Sequence, residues 1–370
     1  MRIRTALVLC ALGLLLMPLV LCTGCGKQEK QRGIMNVSYD PTRELYSEYN
    51  EMFAEHWKNK TGESIIVEKS NAGSRAQSRS VQSGMPADVV TLAIAMDIDD
   101  IAKAKVPGSE ETLMNPAWQK QFPNNSCPYT STIVILVRKG NPKNIKDWDD
   151  LAKEGVRIIT PNPKTSGGAC WNYLAIWGYA LEKELSSVGG FAALNDPSKA
   201  EQVKAAQEKA FQFTKSVFKN ALAQGMPTGA RDATDEFVKR GNGDAFLAWE
   251  NEAILSKLVK EEEGLEIIVP SVSIKAEPPV AVVDANVKAH NNRDIAEEYL
   301  NYLYDPACQE VIARHHFRPS NEEVAKKHLS KYPALRIFSI DEVFGGWGTA
   351  QKVHFNADGT FDRMMNELSK

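Results

Sequence analysis

An excess of either charge is missing from this sequence. Its 44 lysines and arginines nearly balance 47 aspartates and glutamates, for a formal net charge of −3 over 370 residues. No lysine or arginine run stands out. A nucleic-acid binder needs a basic surface that displaces counterions, so the near-neutral balance argues against that class. Cysteine is sparse: of six, Cys10, Cys22 and Cys25 lie in an N-terminal apolar stretch. The remaining Cys127, Cys170 and Cys308 are odd in number and widely spaced, which fits neither a disulfide scaffold nor a zinc site. A Cys127–Cys170 bridge and buried free thiols both stay open, because spacing does not say whether two Cα atoms come within bridging reach. Neither Gly-x-Ser-x-Gly, His-Glu-x-x-His nor a phosphate-binding P-loop occurs, so the expectation is a non-enzyme without metal or cofactor. The pair His315-His316 reads as a helix end rather than a metal site. Internal repeats and low-complexity tracts are also missing. The overall balance is that of a globular chain, and its length suits two domains.

Arg2 and Arg4 precede an uncharged, leucine-rich run from Thr5 to Gly26. A basic start followed by an apolar stretch reads as a secretory leader, here residues 1–24, although the run is long enough to span a membrane. Pro18 and the small residues Thr23-Gly24 favour cleavage before Cys25. Thr-Gly-Cys is similar to the end of a bacterial lipobox, which makes Cys25 the expected first mature residue and lipid carrier. Plain secretion and a retained anchor are the alternatives. In the first two cases the folded part lies outside the cytoplasmic membrane, periplasmic or extracytoplasmic, and in the first it is tethered through Cys25.

Beyond the leader, short apolar runs alternate with helical periodicity. Ile34 to Ser38 reads as a strand, and Asp40-Pro41 opens a helix with Asp40 as N-cap and Pro41 at the first helical position. Leu45, Tyr49, Phe53 and Trp57 then recur at helical spacing until Gly62. Strands follow at Ile65–Val67 and Val89–Leu92, then at 132–137, 156–159, 245–248, 267–269 and 280–283. Helices are expected at 169–181, 205–218, 296–304 and 308–313. The stretch 182–204 reads as an irregular surface excursion. This rhythm predicts the α/β class, with parallel sheets built through helical crossovers.

Three segments share one design, a strand end followed by a small-residue loop and a helix start: Ser70–Ser74, Lys164–Gly168 and Pro227–Ala230. Asp40-Pro41 is a fourth helix start. Unpaired N–H groups at helix N-termini carry partial positive charge and bind anions. Glycine lets the backbone approach a ligand closely. Strand C-terminal ends in α/β sheets fall along one edge, so these loops are expected to meet and cage an oxyanion with neutral dipoles.

At these residues the sequence resembles the periplasmic sulfate-binding proteins that serve ABC importers. The resemblance runs in register from about residue 34 to 362. It rests on Asn36-Val-Ser-Tyr-Asp-Pro-Thr-Arg-Glu-Leu45, Ala87-Asp-Val-Val-Thr-Leu-Ala93 and Pro128-Tyr-Thr-Ser-Thr-Ile-Val134. Thr160-Pro-Asn-Pro-Lys164 with Ser166-Gly-Gly-Ala169, Ala248-Trp-Glu-Asn-Glu-Ala253 and Ile340-Asp-Glu-Val-Phe-Gly-Gly-Trp347 complete it. The resemblance implies a two-lobed type II periplasmic-binding-protein fold, each lobe a mainly parallel sheet flanked by helices, with a hinge between. Lobe 1 would take residues 34–127 and about 276–330, and lobe 2 residues 128–275; residues 331–370 form a C-terminal segment unassigned to either. It further implies sulfate or thiosulfate as ligand, an ABC permease of the inner membrane as partner, no nucleic acid, and a monomer.

The implied backbone donors are Asp40, Ser74, Gly167, Gly168 and Ala230, with the Ser74 hydroxyl and the Trp249 indole N–H as side-chain donors and Ser166 alongside. Asp40 would cap its helix at the same time. A site made only of donors satisfies an ionised sulfate and leaves the O–H of hydrogen phosphate unpaired, at a cost of about 1–3 kcal/mol. Three departures from the family pattern follow. Arg75 stands in Asn71-Ala-Gly-Ser-Arg-Ala76 where the family has glycine, Cys170 stands where an arginine usually follows Ser-Gly-Gly-Ala, and Asp232 follows Ala230-Arg231. Arg75 is expected to offset the change at Cys170. Asp232 either turns its carboxylate to the anion or caps the next helix. Arg75, Arg231 and Asp232 are thus expected in the surroundings of the donors.

Overall fold

The computed structural model describes residues 31–370. The leader 1–24 and Cys25 lie outside the described residues.

The strands are β1 (Gly33–Tyr39), β2 (Ile66–Ala72), β3 (Val89–Thr91), β4 (Tyr129–Thr130), β5 (Ile133–Val137), β6 (Ile158–Ile159), β7 (Ala245–Trp249), β8 (Glu266–Ile268), β9 (Val272–Ile274), β10 (Val280–Val282), β11 (Arg318–Pro319) and β12 (Arg336–Phe338). The first nine helices of α type are α1 (Arg43–Thr61), α2 (Ser74–Gln82), α3 (Ala95–Lys103), α4 (Pro123–Ser126), α5 (Trp148–Leu151), α6 (Gly167–Leu185), α7 (Ala200–Leu222), α8 (Ala230–Thr234) and α9 (Glu250–Val259). These elements bear out the α/β class.

The first sheet has the order β10-β3-β1-β2. β1 lies between two parallel neighbours, with Tyr39 opposite Ala72 and Ser38 opposite Thr91, so the three strands end on one edge. Parallel neighbours need crossovers, and α1 and α2 supply them. Helix α1 stops where Gly62 adopts φ 79° and its N–H caps Lys58, a left-handed turn that glycine makes without strain. Tyr49, Phe53 and Trp57 of α1 pack with Tyr299 and Leu300 over one face of this sheet.

The second sheet, β6-β7-β5-β8, corrects one expectation. β6 and β7 are parallel, but β5 is antiparallel to both β7 and β8, so this half is not mainly parallel. The chain enters β5 through a bridge between Ser131 and Ala276, at the edge where β7 ends, with Ile133 opposite Trp249. From there β5 must run away from that edge. All five of its residues are buried, so its pattern carries no signal of direction.

Helix α6 is almost entirely buried between this sheet, α7 and the C-terminal segment. It starts at Gly167, two residues before the expected Ala169, because Ser166 caps it. The irregular stretch is shorter than expected: α6 runs to Leu185, short 3-10 turns follow, and α7 opens at Ala200. The segment 331–370 packs on α6 and α7. Phe338 lies against Gly178, Trp347 meets the Trp171 ring edge-on at 4.6 Å, and Phe361 meets Tyr173 and Phe218. Cys127, Cys170 and Cys308 are all buried and free, so the Cys127–Cys170 bridge is not formed. His315 pairs with Glu48 just past a helix end. No cluster of metal-ligating side chains occurs among the described residues.

Candidate functional site

The loops singled out in the sequence come together. β1 runs into a 3-10 turn, Asp40–Thr42, that leads directly to α1. Gly73, Ser166 and Gly229 are the N-cap residues of α2, α6 and α8. The Thr165 hydroxyl donates to Thr228 O at 2.8 Å, joining two of the loops. A Cβ placed on Gly73 would lie 3.5 Å from Thr165 O, bringing in the third. On Gly167 it would lie 2.9 Å from Asp97 Oδ2 and 3.0 Å from Ser74 Cβ; on Gly168, 2.9 Å from Trp249 Nε1; on Gly229, 3.2 Å from Asp40 Oδ2. Three helix N-termini, the Asp40 turn and the end of β7 therefore share one small volume. Gly167 and Gly168 are there because no side chain fits between these groups.

Trp249 closes β7 and is 2% exposed. Its ring tilts against Tyr39 with centroids 5.3 Å apart, and its indole N–H has no hydrogen-bond partner. A buried unpaired donor costs about 1–3 kcal/mol, a cost that a bound acceptor removes. The arrangement can present peptide, indole and hydroxyl donors to a tetrahedral anion.

Several side chains depart from expectation. The Ser74 hydroxyl donates to Asp97 Oδ2 at 2.5 Å and accepts from Ala93 N–H at 3.0 Å. Its single proton is committed, so it does not serve as the free donor expected. Ser166 Oγ accepts from Ala169 N–H at 3.3 Å, which leaves the Ser166 proton uncommitted. Asp40 does not cap its helix: it is the first residue of the 3-10 turn, with its carboxylate 3.4 Å from Arg43 Nη2. Burial raises the pKa of that carboxyl, Arg43 and Arg231 pull it down, and Asp232 pushes it up. Asp232 is not an N-cap either. Gly229 takes that position, and the Asp232 carboxylate instead accepts from the Thr228 hydroxyl at 2.5 Å.

Arg231 donates to both oxygens of Glu44 at 3.0 Å and lies 3.7 Å from the buried Glu252. Arg75 Nη2 is 3.3 Å from both Cys170 Sγ and Gln351 Oε1, and Nη1 is 3.9 Å from Asp97 Oδ1. The guanidinium of α2 thus reaches the very position, Cys170, whose departure it was expected to offset.

Asp97 escaped the sequence reading. It is 1% exposed, and burial pushes its carboxyl up to about 6 against the pull of Arg75 and Ser74. An aspartate in the first turn of α3 reads as an ordinary partner of the helix dipole. Nothing in its spacing says that it turns to the Ser74 loop.

Comparison with known proteins fits this geometry. Residues 42–318 match the family described as bacterial extracellular solute-binding protein. A sulfate-binding protein of Salmonella typhimurium is 50% identical over 331 residues, covering 90% of this chain and 92% of the relative. A thiosulfate-binding protein of Pseudomonas aeruginosa is 40% identical, covering 92% and 94%. Among solved structures, the sulfate-binding protein SubI of Mycobacterium tuberculosis superposes with a TM-score of 0.72 at 27% identity, covering 87% of this chain and 98% of that one.

Proposed function

Because this chain belongs to the bacterial extracellular solute-binding protein family, we propose that it captures sulfate outside the cytoplasmic membrane and hands it to an ABC import permease. It is a stoichiometric receptor, not an enzyme, and acts as a monomer held at the membrane through a lipidated Cys25. Residues 34–127 and about 276–330 form one lobe and 128–275 the other. The strands crossing at Ser131 and Ala276 are the hinge, and 331–370 moves with the second lobe.

The anion is held by the N–H groups of Asp40, Ser74, Gly167, Gly168 and Ala230, the Ser166 hydroxyl and Trp249 Nε1. The observation that carries this reading is the buried, unpartnered indole N–H of Trp249, 2.9 Å from where a Gly168 Cβ would be, at the meeting of the helix N-termini. A protonless dianion satisfies such donors fully. Hydrogen phosphate leaves its own O–H facing another donor, which corresponds to weaker binding by about tenfold to a few hundredfold. The names of the relatives support sulfate first and thiosulfate second.

Titration of the mature protein with sulfate, thiosulfate, phosphate and molybdate, followed by calorimetry and tryptophan fluorescence, tests the reading. Sulfate or thiosulfate is expected to bind one to one with a change in Trp249 emission. Neither heat nor emission change with both anions would reject it, and phosphate binding as tightly as sulfate would reject the donor-only account of selectivity.

A further inference from the structure

We propose that Arg75 is the charge-compensating residue of the anion site: its guanidinium cancels the buried Asp97 carboxylate, so the bound dianion meets no uncompensated negative charge beside the Ser74 and Gly167 donors. This rests on the oxyanion reading above and adds a role to a residue outside the donor set.

Asp97 stands next to two donors. It accepts the Ser74 hydroxyl, and its Oδ2 is 2.9 Å from the position of a Gly167 Cβ. A dianion held by those N–H groups therefore sits close to a carboxylate screened from water. Like charges at such separations repel strongly at low dielectric. Arg75 is placed to remove this repulsion. Its side chain is 13% exposed, its Nη1 is 3.9 Å from Asp97 Oδ1, and Cys170 Sγ and Gln351 Oε1 lie at its Nη2. The other groups acting on Asp97 are Arg79 of α2, Asp100 of its own helix and the Cys170 thiol of α6. Arg79 attracts and Asp100 repels, which leaves Arg75 as the ion-paired cation. Burial already holds the Asp97 carboxyl up at about 6 in the presence of Arg75, so removing the cation raises it further.

The test compares wild type, Arg75→Met, Asp97→Asn and the double variant, each checked for a cooperative melt. Sulfate affinity is measured by calorimetry from about pH 5.5 to 8.5. At about pH 8, Arg75→Met is expected to bind sulfate about tenfold to a hundredfold more weakly than wild type. It should regain about tenfold or more as the pH falls and Asp97 takes up its proton, a steeper slope than that of wild type. Asp97→Asn and the double variant should be insensitive to pH and bind within about fivefold of wild type. Wild-type affinity in Arg75→Met at about pH 8, or a loss that neither acid nor Asp97→Asn repairs, overturns the proposal. The Asp97 carboxyl is also titrated by carbon NMR without ligand. It should rise by about one unit in Arg75→Met, and an unmoved titration overturns the proposal even if wild type binds no sulfate and the receptor reading itself has failed.

Discussion

At the residue scale the hydroxyls of Ser74 and Ser166 make opposite predictions. Ser74 has one proton, and it goes to Asp97; its peptide N–H is what faces the cleft under the proposed assignment. Ser166 uses its oxygen as an N-cap acceptor for Ala169 N–H, so its proton remains available to an anion. Ser166→Ala should weaken sulfate binding by about 1.5–3 kcal/mol, the scale of a hydrogen bond to a charged group. Ser74→Ala should cost less in affinity, because the Ser74 N–H survives. Calorimetry on both variants decides: an equal or larger loss for Ser74→Ala contradicts the proton count. The loop residues were legible in the sequence because glycine and a cap residue before a helix have a local physical cause. The direction of a hydroxyl proton was not, since it depends on Asp97, which lies in another helix and carries no mark of its own. The N-cap roles expected for Asp40 and Asp232 failed for a related reason. Each carboxylate pairs with another group, Arg43 or Thr228, while Tyr39 precedes the 3-10 turn, Thr42 precedes α1 and Gly229 caps α8.

At the scale of elements, the apolar strands were read closely, and so was the end of α1 at Gly62, whereas α6 and α7 extend beyond their expected bounds at both ends. The direction of β5 was not legible, because a continuous buried apolar run reads the same whether its neighbours are parallel or antiparallel. Nor was the seat of the C-terminal segment, whose apolar residues could cover either half. The structure ties that segment to α6 through His354, which shares a 2.9 Å hydrogen bond with Tyr173 and packs edge-on against Trp177 and Phe344. Burial lowers the His354 pKa from 6.5 to about 3. The sign follows directly. The unfolded chain takes up the proton first, so the stability linked to neutral His354 is complete above about pH 6.5 and is lost progressively as pH falls toward about 3. At about pH 5 the loss is about 2 kcal/mol. His354→Gln, which keeps a partner for Tyr173, should therefore lose less stability than wild type between about pH 7 and 5 in urea unfolding. Parallel pH profiles would show that His354 does not set acid sensitivity.

At the scale of the whole molecule, contacts between segments assigned to different lobes should decide how long a ligand stays. Arg231 follows Ala230, a proposed donor on one side, and grips both oxygens of Glu44, four residues after Asp40 on the other. Asn251 Nδ2 reaches Pro41 O at 3.4 Å, and Arg318 makes two 2.7 Å bonds to the buried Glu250. Closure around an anion would assemble these pairs, and ligand binding would stabilise the closed state by its preference for it. Glu44 is 40% exposed, so its pair with Arg231 is screened and its contribution modest. Glu44→Gln should leave association nearly unchanged, since the anion meets the same donors, and should speed sulfate release by about threefold in stopped-flow fluorescence. High salt should shrink the difference between variant and wild type. Small-angle scattering should show wild type becoming more compact with sulfate, and identical profiles with saturating sulfate and without would remove the hinge from the account. If the profiles differ but Glu44→Gln releases sulfate at the wild-type rate, closure is held by the donors alone and the Arg231 pair is only a surface contact.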